Sequence, residues 1–202
     1  AEEARCLVTG EVGPLARLHP AIKGVSGAQS TGASIVSFNL DAFTSYGHDQ
    51  GANAPITKQT AFAYTTTLNH LLRNDPDNHQ RVRIGDTTTV FWAEGSSGQE
   101  EKAAEGFWAH LVSPPDDEQE AETLRNSLDQ LARGRALEEV DPQLHENTRF
   151  YVLGLAPNAS RLAVRFWYAD TLGALAHNVA QHYQDLALDP APWRTPPAIW
   201  RL

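Results

Sequence analysis

HPAIKGVSGAQSTGASIVSFNLDAFTSYGHDQGAN, residues His19–Asn53, is the stretch around which the rest of the chain is organised. Five glycines punctuate it, Gly24, Gly27, Gly32, Gly47 and Gly51, with Gly13 just ahead. Short hydroxyl and amide side chains fill the intervals: Ser26, Gln29, Ser30, Thr31, Asn39, Gln50 and Asn53 among them. Glycine opens the backbone to positive φ and to close approach, and small polar groups offer donors and acceptors at little entropic cost. Only Ile35, Val36 and Phe38 read as a buried strand, so most of the stretch is predicted to be loop. A loop of this make-up is either a knot of turns or a surface for phosphates and base edges.

Gly27–Ser34, GAQSTGAS, fits the phosphate-loop pattern GxxxxG-x-[ST] except that Ala33 stands where a lysine is required. That lysine carries the charge a nucleoside triphosphate needs, so its loss counts against nucleotide hydrolysis. Val90–Glu94 imitates a magnesium-holding strand, but apolar strands ending in Glu are common. A nest of backbone N–H groups around a nucleic-acid phosphate needs no lysine and stays open.

Working outward, Arg5 to Thr9 reads as a short strand and Gly13-Pro14 as a turn. His19-Pro20 reads as a hydrogen-bonded loop anchor. Lys23, the sole cation between Arg17 and Lys58, is the leading candidate for a phosphate contact. Phe43 is expected to be buried, whereas Tyr46 reads equally as buried or as a stacking ring. Thr57 caps a predicted core helix with Ala61, Tyr64, Leu68, Leu71 and Leu72 on one side, stopped by Asn74-Asp75-Pro76. Arg81 and Arg83 share one face of a strand, Thr87 to Thr89 help make a turn, and Thr89 to Ala93 is a buried strand. Gln99 to Leu111 reads as a loose helix, and Pro114-Pro115 breaks it. A charged helix then starts behind Asp116 with Ala121, Leu124, Leu128 and Leu131 inward. Arg149–Leu155 and Arg161–Tyr168 read as strands joined at Pro157–Ser160. In the second, Leu162, Val164, Phe166 and Tyr168 should face inward, and Arg161, Arg165 and Trp167 outward, as a surface for phosphates and a stacked base. Asp170 caps a last helix with Leu172, Leu175, Val179, Tyr183 and Leu186 buried, and a proline-rich tail with Trp193 and Trp200 is expected to dock on a neighbour.

The chain has 202 residues, 41% of them hydrophobic, enough for a substantial core. Its net charge of −9 lies in one segment: Glu100 to Asn147 holds 13 acids and 4 bases, and the remainder holds 12 of each. That acidic face should turn from nucleic acid, and a chain otherwise neutral should bind naked DNA weakly alone. The single cysteine, Cys6, excludes an internal disulfide framework and suits a cytoplasmic location. No span fit for a membrane, no metal cluster and no nucleophile elbow is visible; neither cofactor nor catalytic residue is expected. The absence of Met and the start at Ala1 suggest an excerpt of a longer protein.

Cys6–Glu11, Leu18–Val25, Gly27–Ser30, Ser37–Asn39, Ala42-Phe43, Ser45–Gly47, Gln50–Pro55, Ala61–Tyr64 and Leu68–Leu72 follow in an order that resembles the large subunit of the type I-C CRISPR surveillance complex, Cascade. Ile84–Asp86, Val90–Glu94, Phe150–Asn158 and Arg165–Trp167 extend the likeness over nearly the whole chain. The resemblance implies the central part of a non-catalytic subunit. Such a subunit helps guide-RNA-directed binding of target DNA, recognition of the flanking motif (PAM) and stabilisation of the R-loop. Its implied partners are the other Cascade subunits, the crRNA, target double-stranded DNA and a recruited helicase-nuclease. The expected nucleic-acid contacts are Lys23, Gln29, Ser30, Thr31, Asn39, Gln50 and Asn53, with Arg161 and Arg165 on the hairpin. An architectural module that contacts only other subunits, and a nucleotide-binding enzyme with a degenerate phosphate loop, are the alternatives. Strands and helices without a βαβ repeat indicate an α+β fold: a mixed sheet with a core helix, an acidic helical insertion and a C-terminal hairpin plus helix. The expected divisions are residues 1–94, 95–147 and 148–202.

Overall fold

A computed structural model describes residues 3–114, 117–188, 190, 192, 197 and 198. Pro115, Asp116, Trp193, Trp200 and most of the proline-rich tail lie outside them. The architecture is α+β. In chain order, β1 (Glu3–Arg5) and β2 (Val12–Pro14) precede α1 (Lys58–Leu71), β3 (Arg81–Ile84) and β4 (Thr87–Glu94). Helices α2 (Gly98–Val112), α3 (Glu118–Ala132) and α4 (Leu137–Val140) follow, then β5 (Arg149–Asn158), β6 (Arg161–Thr171) and α5 (Leu172–Asp185). β1 pairs with β2, and a four-stranded sheet runs β3-β4-β5-β6. The sheet expected to be mixed is antiparallel; among the described residues, an isolated parallel bridge outside the sheet's strand pairs joins Ser34 to Arg161. Two-residue connections at Gly85-Asp86 and Ala159-Ser160 make β3–β4 and β5–β6 antiparallel hairpins, because parallel neighbours need a long crossover.

The chain divides into two compact units, one of residues 1–88 with 154–165, the other of 89–153 with 166–202. In the first, α1 forms as its periodicity dictates. The Thr57 hydroxyl accepts from the Thr60 N–H at 3.4 Å, and Ala61, Thr65, Leu68 and Leu71 are buried. Tyr64 is half-buried rather than sealed. The buried Thr65 hydroxyl donates back to the Ala61 carbonyl at 2.7 Å, which satisfies a polar group the core would otherwise penalise. At the other end the Asn78 amide donates to the carbonyls of Leu71 at 2.8 Å and Arg73 at 2.9 Å, so the last helix carbonyl, which has no intrahelical partner, and one just past the helix end are answered by a side chain.

Several local expectations are corrected. The first strand is Glu3–Arg5, and Leu7 to Thr9 form the turn; Gly13 and Pro14 belong to β2. Gly10, at φ 74°, bends the chain early and reverses the assignment. Ile35, Val36 and Phe38 are half-buried, the first two in bends and Phe38 in irregular backbone, not a strand. Thr87 to Thr89 are buried inside β4 because Gly85, at φ 61°, makes the turn before them.

The second unit is built on rings. Phe91 and Phe150, both 0% exposed, lie 6.1 Å apart, and Trp108 of α2 packs on them at 6.4 and 5.9 Å. The helix expected to be loose is therefore anchored, with the Ser97 hydroxyl accepting from the Glu100 N–H at 3.3 Å. Asp117 caps α3 by accepting from Gln119 and Glu120 N–H groups, both at 3.0 Å. α3 buries Ala121, Leu124, Leu128 and Leu131 against α5. The α5 cap is the Thr171 hydroxyl rather than Asp170, and Leu186, expected inside, is exposed just past the helix end. On β6, at the edge of the sheet, Leu162 is buried as expected, but Val164 and Phe166, expected inward with it, are 49% and 41% exposed because no layer among the described residues covers them.

Candidate nucleic-acid interface

The His19–Asn53 stretch folds into short turns pinned at their bases. Ile22 and Ala33 exchange backbone hydrogen bonds at 2.8 and 2.9 Å, closing a loop between them. From α1 the Asn69 side chain accepts the Lys23 N–H at 2.7 Å and donates to the Ala21 carbonyl at 3.1 Å. Arg81 donates to the Gly24 carbonyl at 3.0 Å and to the Ser26 hydroxyl at 3.3 Å, while the Ser26 N–H donates to the Thr88 hydroxyl at 2.9 Å. Gly24, at φ 87°, passes so close to the end of α1 that an added Cβ would lie 2.3 Å from the Leu72 carbonyl oxygen.

Lys23, Gln29, Ser30 and Thr31 are exposed on this frame. Among the described residues their side chains make no hydrogen bond or ion pair within the chain, which leaves their polar ends to solvent or a ligand. The phosphate-loop likeness ends at the backbone. The N–H groups of Ala28, Gly32 and Ala33 already donate to Val25, Gln29 and Ile22, so they do not converge on one anion as a phosphate nest would require.

The remaining predicted contacts are braced. Asn39 accepts from Arg161, whose guanidinium also lies 5.4 Å from the Phe43 ring centre. Phe43 is half-buried and meets Phe38 edge-on at 5.5 Å. Arg165 pairs with Asp86 at 3.2 Å. Asn53 donates to the Gln50 carbonyl at 3.2 Å inside one 3-10 turn, Gln50–Asn53, with Gln50 half-buried at φ 47°. Tyr46 resolves in favour of exposure, at 91%.

In the second unit, Trp167 does not face solvent alone. Trp92, Tyr151 and Trp167, one from each of β4, β5 and β6, form a cluster with ring centres 5.3 to 5.7 Å apart. Arg149 lies 5.9 Å over Tyr151, and the Tyr151 hydroxyl donates to Glu94 at 2.7 Å. That hydrogen bond to a carboxylate holds the Tyr151 phenol above its usual range. Trp167 remains 52% exposed, so this face offers a ring already held in place by its neighbours.

The Cas_Csd1 family model, described as CRISPR-associated protein, matches residues 1–202. The chain belongs to this family. No curated protein matches it. In this CRISPR-associated protein, the ring cluster escaped the sequence reading because it depends on strand register: Trp92 and Tyr151 share a sheet face with Trp167 only once β4, β5 and β6 are aligned. Period-two parity within each strand was the only signal available. The His19 anchor was legible. Its Nδ1 lies 2.6 Å from the Tyr64 hydroxyl; burial lowers the imidazole pKa and pushes the Tyr64 phenol to about 12. Among the described residues no group of three His, Cys, Asp or Glu side chains is placed to hold a metal, and no helix is long and apolar enough to cross a membrane.

Proposed function

We propose that this chain acts as the non-catalytic large subunit of a type I-C Cascade, reading the motif that flanks the target and holding DNA while the guide RNA pairs. The supporting observation is the exposure of Lys23, Gln29, Ser30 and Thr31 on a loop closed by the Ile22–Ala33 backbone pair and held at its base by Asn69 and Arg81. A backbone already held in place lowers the ordering cost when its amides and hydroxyls read base edges, and a nearby lysine supplies a phosphate contact. Target double-stranded DNA, crRNA, the other Cascade subunits and a recruited helicase-nuclease are the proposed partners. Asn39, Gln50, Asn53, Arg161 and Arg165 act in this reading mainly by holding the loop and hairpin in shape.

The test is the complete complex assembled with guide RNA and titrated with duplexes carrying correct and altered flanking motifs. Gln29→Ala should reduce discrimination between them by about 5- to 100-fold if its amide reads a base edge. Lys23→Gln should weaken both duplexes alike and lower the salt dependence by about one contact. Unchanged affinity, discrimination and salt slope in both variants would sink the assignment. A second reading, a module that contacts only other subunits, draws on Leu7, Val8 and Val12 around the β1–β2 turn, exposed at 68%, 67% and 66%. There, Leu7→Ser with Val8→Ser would abolish assembly while the loop variants left binding intact.

A further inference from the structure

Within the first unit lies a cleft of about 520 Å³ whose lining includes none of Gln29, Ser30 and Thr31. Its floor is backbone held on two sides: the Ala16 N–H donates to Ile56 at 2.9 Å and the Gly51 N–H donates to Arg17 at 3.0 Å. A Cβ on Gly51 would lie 2.0 Å from the Ala16 carbonyl oxygen, so only glycine lets the 3-10 turn close against this segment. Arg17 and Lys58, far apart in sequence, both line the cleft. Both are exposed, and among the described residues neither makes an ion pair or a side-chain hydrogen bond. Asp49 is the one carboxylate in the lining, and His48 stands beside it. A neighbouring hollow of about 320 Å³ shares Ala16, Arg17 and Lys58 and adds the apolar Leu18, Pro20 and Ala61. Tyr46, next to the lining residue Gly47, is 91% exposed and contributes almost nothing to the core.

Two unpaired cations in a concavity raise the local concentration of anions. A guanidinium fork matches two phosphate oxygens, and an ammonium adds a point charge. The volume falls within the roughly 300–1,000 Å³ of small-molecule sites, and an uncovered aromatic ring is a platform for a base. We propose that this cleft binds a nucleotide, with Arg17 and Lys58 on its phosphate and Tyr46 stacked on its base. The nucleotide is either free or one unit of a strand; the recognising chemistry is the same. The inference does not depend on flanking-motif recognition by the Gln29 turn.

The experiment is fluorescence anisotropy of the full-length protein with a labelled single-stranded octanucleotide, over a range of salt. Arg17→Gln and Lys58→Gln should each weaken binding several-fold and reduce the slope of log K against log salt by about 0.7. Tyr46→Ala should weaken it by about 5- to 100-fold, and Tyr46→Phe should retain it. Competition by a nucleoside monophosphate would assign a free nucleotide as a sufficient ligand. Competition only by unlabelled strand would assign the polynucleotide. Gln29→Ala should match wild type here even where it fails the flanking-motif assay, which separates the two assignments. Absence of binding, or wild-type affinity and salt slope in Arg17→Gln and Lys58→Gln, would overturn the proposal. All four substituted side chains lie on the surface, and circular dichroism matching wild type checks the fold.

Discussion

Gly24→Ala tests whether the loop's glycines are there for contact with ligand or for contact with the protein's own backbone. Gly24 sits at φ 87°, and an alanine Cβ would meet the Leu72 carbonyl oxygen at 2.3 Å and the Leu72 carbonyl carbon and Cβ at 3.1 Å. An L-residue in the left-handed region costs about 1–2 kcal/mol. Forcing a methyl against backbone at the end of a core helix adds roughly 1–3 kcal/mol. Gly47 supplies the control: its φ is 73°, with nothing within 4 Å of the added Cβ. Gly47→Ala should therefore show the conformational cost alone, and Gly24→Ala about 2–5 kcal/mol in total. The first unit contains no tryptophan, so indole fluorescence would report on the wrong unit. Hydrogen exchange of the α1 amides through a urea titration reads the loss directly. Equal destabilisation by the two variants, within about 0.5 kcal/mol, would refute the steric account of Gly24.

Phe91→Ala should cost about 3–5 kcal/mol, because Phe91 is 0% exposed and touches both Trp108 and Phe150; a urea midpoint followed by tryptophan fluorescence that barely moves would contradict that core. His19 has its pKa lowered below 6.5 by burial, so the folded chain binds fewer protons there than the unfolded one. Its contribution is complete above 6.5 and is lost as pH falls through the lowered folded value; His19→Gln should flatten the urea midpoint between pH 8 and 5. Glu100 is held at about 2, against an ordinary 4.5, first by the Ser96 hydroxyl, then by the Thr148 hydroxyl and the Ser96 N–H. It stabilises fully above 4.5 and ceases to as pH falls toward 2, so Glu100→Gln should remove that part of the acid-induced fall in Tm.

The sequence alone determined the elements whose signals are local. The α1 stripe, the cap at Thr57, the stop near Asn74 and the turn before Arg161 all follow from neighbouring residues, because helix periodicity and turn chemistry are complete within a few positions. The loop character of His19–Asn53 was legible for the same reason, and its glycines marked where the backbone would turn. Their purpose was not legible. Gly24 answers to Leu72 and Gly51 to Ala16, partners far along the chain that only folding brings near. The exposure of Val164 and Phe166 was likewise not legible, since a strand's alternating pattern does not say whether a layer covers each face. Register assembled Trp92, Tyr151 and Trp167 into one cluster, and chain reversal brought Arg17 to Lys58. Those placements belong to tertiary structure because they rest on contacts between distant segments, and local sequence encodes those only as the requirement that all of them be satisfied together.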